Sequence, residues 1–456
     1  MIARNVYHKS IIMTLFEGTK LNFDLNHLIE LSQHRSGYTR ELAVKRLENL
    51  NDPKAIPALI ERMNDWVLQV RQAAKKAFLN LLVPECTAEL VSALPQIYHL
   101  KSCKRLKSTP IIKAVETFFS KKADRKLLES GILHKRCNIA ILCTKIIITY
   151  KIFPASQIVH LCQQSKHNIV RLKAAELLQR ISSPLNVRLI SAALNDKFTP
   201  VRKKAIQLIL DKGDTEYAVS VAKNSLTDHS STVRMLAVNY LKKTSFNVEG
   251  YYLSSIDNAT VPKLKCALWA IGFLSLKSYN NKIALYLDSE FPSIRKQPLR
   301  SLYQLDEENI KQILIERLKD NSLGVRQAAV RLLAQISYLL DYKDFQGGFK
   351  QVSNKGSYSS LLRVGRNMNK WDRITLLLAL ASNIKQSQKT ESTYLEKEIS
   401  IWYKNFNRSG VQPTSQQLAS IKDNLVEAKV YLFHHEINSI YSVLIHTFKT
   451  YHIKHN

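Results

Sequence analysis

DKFTPVRKKAIQLI, residues 196–209, places an acid in a turn, then Val201-Arg202, then Ala205 and Ile209. The same order of residue types returns on both sides of it, about every 31 residues. Counted on the basic residue, the anchors are Arg40, Arg71, Arg171, Arg202, Arg234, Lys263, Arg295 and Arg326. Three residues after the anchor comes a small side chain: Ala43, Ala74, Ala174, Ala205, Ala237, Cys266 and Ala329. Four further on comes a large apolar one: Leu47, Phe78, Leu178, Ile209, Leu241 and Leu333. Positions i, i+3 and i+7 share one face of a helix. The alanine lets a neighbouring helix come close, and the larger residue fills the core.

A second apolar stripe precedes each anchor. Ile56, Leu59 and Ile60 carry it in 53–63, and Ile310, Ile313, Leu314 and Leu318 in 310–318. Each period is therefore two antiparallel helices joined by a short turn. One such pair cannot bury both of its faces, so the pairs must stack. The step from Arg71 to Arg171 is about three periods, which calls for two degenerate units near Arg105 and Arg136. Pro298 stands where the small residue should be, and proline is expected to shorten or kink that helix.

The turns are patterned as well. Asp65, Asp196, Asp228, Asp257 and Asp320 each lie six residues before an anchor. A carboxylate there sits at the entrance of the second helix, where free N–H groups and the helix dipole attract it. Acid and arginine recur together, so the arginines read as structural partners of these aspartates rather than as phosphate ligands.

DKFTPVRKKAIQLI, DNSLGVRQAAVRLL and NDWVLQVRQAAKKAF resemble the second-helix half of HEAT repeats. The resemblance covers roughly residues 36–340, with 85–165 degenerate. It implies an all-α fold, a right-handed α-solenoid of about ten stacked helix pairs, with the second helices lining the concave side.

The rest of the chain reads around this array. Residues 1–35, with Leu25, Leu28, Ile29 and Leu31 on one face, are expected to cap it. Residues 341–360, with Gly347, Gly348, Gly356 and several serines, read as a linker or mobile loop. Residues 361–456 read as a helical C-terminal module. Its helices are marked by Trp371, Ile374, Leu377 and Leu378, then by Tyr394, Leu395, Ile399, Trp402 and Phe406. Thr414 and Gln417 form a capping box for a third helix, and Ile437, Ile440, Tyr441, Leu444 and Phe448 mark a fourth.

Composition limits the function. The 456 residues exceed one ordinary core, and the scarcity of Gly and Pro favours helices over hairpins. The six cysteines, Cys86, Cys103, Cys137, Cys143, Cys162 and Cys266, form no zinc-binding spacing, and buried free thiols in a reducing, cytoplasmic compartment are expected. No apolar stretch reaches the length of a membrane span. There is no Gly-rich phosphate loop, no G-x-S-x-G and no H-E-x-x-H. Among HEAT-like enzymes, a metal hydroxylase would need several His-Glu pairs, and this chain has only His435-Glu436. A bilin-lyase-like reading shares the repeat but offers no matching site residue. A DNA glycosylase of the alkylbase type would want a carboxylate and aromatics facing the groove, and Asp65-Trp66 is the one suggestive pair. Trp66 reads as core or turn packing. No catalytic, metal or cofactor residue is assigned.

Charge carries more. Lys and Arg exceed Asp and Glu by 30, and a net charge of this size concentrates anionic partners. Basic residues off the apolar stripe are Lys45, Arg46, Lys75, Lys76, Lys173, Lys203, Lys204, Lys265 and Arg331, with Lys104 and Arg105 in a separate basic block over 101–136. That block holds eleven basic residues against Glu116, Asp124 and Glu129. About ten units at roughly 10 Å per helix would give a groove on the order of 100 Å. The expectation is a non-enzymatic scaffold holding an acidic protein or a nucleic-acid backbone without reading sequence. An anionic membrane surface would also fit.

Overall fold

The computed structural model describes residues 24–180, 187–212, 215–257, 260–306, 310–345, 355–384, 389–434 and 438–452. Among these residues every regular element is a helix. The chain divides into two compact units, Met1–Lys223 and Asn224–Asn456, and each is a stack of paired helices.

In the first unit the second helices of the pairs are Gly37–Leu50, Leu68–Asn80, Ser108–Lys121, Cys137–Tyr150, Asn168–Leu178 and Thr199–Lys212. Leu25–Leu31, in the stretch expected to cap the array, packs on Gly37–Leu50 as the first helix of a pair. Asp24 caps it by accepting from the His27 N–H. In the second unit the second helices are Ser231–Leu241, Val261–Phe273, Pro292–Leu305 and Leu323–Gln335. The repeated apolar positions form the core in both units: Ala43, Leu47, Ala74, Phe78, Ala237, Leu241, Ala329 and Leu333 have no accessible surface.

The turns explain the acid–arginine pattern. Arg40 Nε and Nη2 donate to the two carboxylate oxygens of Asp65, both at 2.8 Å. Its Nη1 donates to the carbonyls of His34 and Arg35, in the turn of its own pair. Arg171 binds Asp196 at 2.7 and 3.2 Å, and Arg295 binds Asp320 at 2.8 Å twice. In each case arginine and aspartate are 25 residues apart, so each arginine joins one turn to the next. The aspartates also accept the N–H two residues on, from Val67, Phe198 and Ser322, which shapes the turn into the second helix.

The degenerate region has a specific cause. Regular anchors stand four residues after the N-cap of their helix, as Arg40 does after Ser36 and Arg326 after Ser322. By the same count, the N-caps Lys107 and Arg136 put Ile111 and Ala140 in the anchor position. Arg105 and Arg136 therefore precede the helices they were expected to anchor, and no guanidinium is available to the ladder there. The interval from Arg71 to Arg171 is seven residues longer than three periods of 31. The extra length falls between Thr87–His99 and Ser108–Lys121, in 100–107. Lys263 is also one residue out of register. The N-cap Thr260 makes Leu264 the anchor, with Ala267 and Ile271 fully buried behind it. Asp257 is bound by Lys282 at 2.8 Å instead of by an arginine.

Proline does not shorten the helix at 298. Pro292–Leu305 runs through Pro298, which is buried. Its neighbour Val261–Phe273 holds it closely: Ser301 Oγ donates to the Leu268 carbonyl at 2.7 Å, and a Cβ on Gly272 would lie 2.7 Å from Ser301 Cα. Packing of this kind can outweigh the one hydrogen bond that proline removes.

Residues 346–354, with Gly347 and Gly348, lie outside the described residues. The remainder of the expected linker is ordered: Tyr342–Phe345 is a 3-10 turn, and Gly356 with the following serines belongs to the helix Lys355–Gly365. This helix packs directly on Leu323–Gln335. A Cβ on Gly356 would meet the Arg326 guanidinium, the movable end of its side chain, so the two helices approach closely at this point. The helices Lys370–Asn383, Lys389–Lys404 and Ser415–His434 follow. Trp371 and Trp402 are buried edge to face, and Trp402 Nε1 donates to the Lys370 carbonyl at 2.7 Å. The capping box is present: Thr414 Oγ1 accepts from Gln417 N, and Gln417 Oε1 accepts from Thr414 N.

Candidate functional site

On the second helices, nine of the eleven expected basic residues stand off the buried stripe, while Lys104 and Arg105 precede the helix Ser108–Lys121. Of the eleven candidates, nine lie in the first unit, while Lys265 and Arg331 lie in the second. Lys45, Lys75, Lys76, Lys104, Arg105, Lys173 and Arg331 are exposed; Arg46, Lys203, Lys204 and Lys265 are half-buried.

Local acids divide the candidates into two groups. Lys45 pairs with Glu41 at 2.7 Å, Lys173 with Glu176 at 2.8 Å, and Lys76 with Glu48 at 2.9 Å. Glu48 also accepts from Asn80, so it bridges two adjacent second helices. These lysines offer less free charge than a count of basic residues suggests. Lys75, Lys104, Arg105, Lys203, Lys204, Lys265 and Arg331 make no ion pair among the described residues.

The strongest concentration of unpaired charge is the stretch 101–136. Lys101, Lys104, Arg105 and Lys107 stand on the inserted turn, all exposed. Lys113, Lys121, Lys122, Arg125, Lys126, Lys135 and Arg136 follow on the next two pairs, also exposed. None of them is in an ion pair among the described residues. The three acids of the stretch are held by neutral groups instead. Asp124 accepts from Leu127 N as an N-cap, and Glu129 accepts from Gln157 Nε2. Glu116 accepts from the hydroxyls of Tyr98 and Tyr150.

The Tyr98 ring is also flanked by two cations. Lys101 Nζ is 5.0 Å and Lys145 Nζ 5.6 Å from its centroid. Burial, and then the Glu116 carboxylate, push the Tyr98 hydroxyl well above the ordinary phenol range. Tyr150 is raised too, chiefly by its hydrogen bond to Glu116. Both hydroxyls stay protonated donors at neutral pH, and Lys101 and Lys145 are held on the aromatic face. Lys145 and Tyr98 are not conspicuous in the sequence, because they lie on different helices.

Other candidates change meaning. Asp65 is buried and ion-paired. Burial raises its carboxyl, but the Arg40 hydrogen bonds, the Val67 N–H and the charges of Arg40 and Arg62 outweigh this and hold it below the usual carboxylate range. It is a stable anion closed off by two arginines, so it does not face a groove as a glycosylase carboxylate would. Trp66, expected in packing, is 73 % exposed, with the Arg40 guanidinium 5.9 Å from its ring. His435-Glu436 lies outside the described residues. Among those described, no group of His, Cys, Asp and Glu has the arrangement of a metal site. Cys86, Cys143, Cys162 and Cys266 are buried thiols as expected; Cys137, on the first turn of its helix, is exposed. Among the described residues, no single helix is long and apolar enough to cross a membrane.

Residues 304–333 match a family model described as a HEAT repeat associated with sister chromatid cohesion. That segment contains Ile310–Glu316, most of Leu323–Gln335, and the ladder residues Asp320 and Arg326. No curated protein matches the chain. Among solved structures, the chain is similar to the CpcE–CpcF complex of phycocyanin lyase from Nostoc sp. PCC7120, at 19 % identity. That match covers 51 % of this chain and 95 % of that one, with a TM-score of 0.26. It is similar to yeast importin-beta (Kap95p) at 11 % identity over 94 % of this chain and 67 % of that one, with a TM-score of 0.40. Importin beta from ammonium sulfate crystals gives 13 % identity, 90 % and 67 % coverage, and a TM-score of 0.33. Residues 304–333 thus carry a HEAT-type unit, and among the described residues the fold is all-α, built of stacked helix pairs.

Proposed function

We infer that this protein is a non-enzymatic scaffold or adaptor whose basic surface holds an anionic partner, in a reducing cytoplasmic compartment. The partner is an acidic protein segment or a nucleic-acid backbone. The observation that carries this reading is the stretch 101–136: eleven exposed cations whose only local acids are occupied by neutral donors. Unpaired cations need give up no carboxylate to engage a partner, whereas Lys45, Lys76 and Lys173 must first release a glutamate. Lys104 and Arg105 are therefore the centre of the surface, with Lys75, Lys203, Lys204 and Arg46 as further members in the same unit. Lys265 and Arg331 would serve a contact in the second unit.

Lysine-dominated surfaces present point charges rather than bidentate forks. They suit the repeated charge of a phosphate backbone or a run of carboxylates, without base readout. No cofactor enters this reading. The glycosylase alternative loses support because Asp65 is committed to Arg40.

Affinity capture with the full chain, with and without nuclease, tests the reading. Capture of nucleic acid, or of acidic proteins that persist after nuclease, supports it. Capture must fall when Lys101, Lys104, Arg105 and Lys107 are changed to Glu. Capture unaffected by that variant would overturn the assignment, as would base release from alkylated DNA that is lost in Asp65→Asn while circular dichroism shows that variant still folded.

A further inference from the structure

The second unit ends in a groove that the repeat pattern does not account for. The helices Ser415–His434 and Asn438–His452 pack against each other, and Leu425, Ile440 and Leu444 on them are buried. Alongside this seam a cavity of about 440 Å³ opens to solvent, floored by Val426, Tyr441, Ile445 and Phe448. Tyr441, Ile445 and Phe448 follow one another at helical spacing on one side of the last helix. Val426, facing them from the neighbouring helix, is 71 % exposed. In a stack of helix pairs this is the kind of surface on which another helix packs.

All the charged residues that line the groove are lysines: Lys422, Lys429 and Lys449. Lys422 and Lys449 make no ion pair among the described residues. Lys429 Nζ lies 6.0 Å from the Tyr441 ring. The acids Asp423 and Glu427 of the same helix are not part of the lining.

We propose that this groove is a docking site for an amphipathic helix of another protein, with apolar anchors on one face and carboxylates flanking them. The apolar floor takes the anchors at i, i+4 and i+7, the spacing that a groove between two helices accepts. The lysine rim selects for carboxylates on either side. Two other occupants fit less well. A second copy of this chain would bring a net charge of +30 against +30, with lysine rim facing lysine rim. A bilayer surface is flat and does not fill a concave cavity.

The site is remote in sequence from the basic stretch 101–136 and does not depend on the proposed scaffold role. The test uses the full chain and a fluorescent helical peptide with leucines at i, i+4 and i+7 flanked by glutamates. A second peptide replaces each glutamate with lysine. The acidic peptide is expected to bind in the micromolar range and the basic one at least tenfold more weakly. Val426→Asp alters an exposed side chain and leaves the helix seam intact, which circular dichroism checks. It should abolish binding, and the double variant Lys422→Glu, Lys449→Glu should weaken the acidic peptide by about tenfold or more, in line with measured effects of interface charges. Equal binding of both peptides overturns the proposal, as does binding unchanged in Val426→Asp. Two further outcomes also overturn it: binding of phosphatidylserine vesicles in preference to the peptide, and self-association that disappears in Val426→Asp.

Discussion

The Arg40 guanidinium closes two 2.8 Å hydrogen bonds on the Asp65 carboxylate, 25 residues further along the chain. Both side chains are almost fully enclosed. One link of this kind fixes the position of one helix pair on the next, because Arg40 also holds the carbonyls of its own turn. Removing one member leaves the other as an unpaired buried charge. Asp65→Asn or Arg40→Ala should therefore destabilise the protein by about 3–5 kcal/mol, measured by denaturant unfolding. A loss well under 1 kcal/mol would mean that the link does not bear on the stacking.

The same carboxylates set a pH dependence. Burial raises both Asp65 and Asp320, but their arginine partners and the turn N–H groups hold both below the ordinary carboxylate value. A depressed carboxyl contributes stability that is present above the unfolded-state pKa and is lost as pH falls through the folded-state pKa. Melting temperature should thus hold from neutral pH down to the ordinary carboxylate range and fall below it. Asp320→Asn should flatten that acid limb. An unaltered limb would show that other carboxylates govern it.

Close helix approach at Gly272 gives a sharper packing test. A Cβ there would sit 2.7 Å from Ser301 Cα, which is backbone and cannot swing away. Gly272→Ala should cost about 1–3 kcal/mol despite alanine's better helix propensity. Lys263→Ala, by contrast, changes an exposed residue outside the ladder and should be neutral within ~0.5 kcal/mol. If Lys263→Ala proved as costly as Gly272→Ala, the register that places Leu264 at the anchor would be wrong.

The cysteines separate by accessibility. Cys137 is exposed, whereas burial pushes the Cys143 thiol up to about 12 and Cys162 to about 11. Brief alkylation of the native protein should label Cys137 and leave Cys143 and Cys162 unmodified until denaturant is added, as read by peptide mass spectrometry.

The repeat was legible because its core letters are local. Ala205 and Ile209 follow Arg202 on one helix face, and all such positions are buried as the spacing implies. The pairing of Arg40 with Asp65 was legible only as co-occurrence, since nothing in one period says whether an arginine reaches its own aspartate or the next. Register failed at Lys263 because two basic residues, Lys263 and Lys265, straddle the true position, Leu264. Pro298 misled because proline's penalty is local, while the packing of Ser301 against Leu268 is not. Trp66 misled for the opposite reason: its size suggests burial, but it stands on the outer edge of a turn whose interior Arg40 and Asp65 already fill. Charge was legible in total and not in detail. Glu41 and Glu176 lie within one helical turn of Lys45 and Lys173 and can be read from spacing. Glu48 reaches Lys76 across two helices, and that contact requires the stack.

On the proposed reading, the unpaired cations of 101–136 hold an anionic chain. Fluorescence anisotropy of random-sequence duplex DNA and of poly-glutamate, titrated in parallel over rising salt, tests it most directly. The wild-type chain should bind at least one of the two at low salt, with log affinity falling linearly against log salt. For duplex DNA, changing Lys101, Lys104, Arg105 and Lys107 to Glu should flatten that slope by roughly 3–4, about 0.9 per lost phosphate contact. Changing Lys45, Lys76 and Lys173 to Ala should alter it far less. No binding of either polyanion at low salt, or a slope unchanged by the four-residue reversal, would show that these cations do not hold an anionic partner.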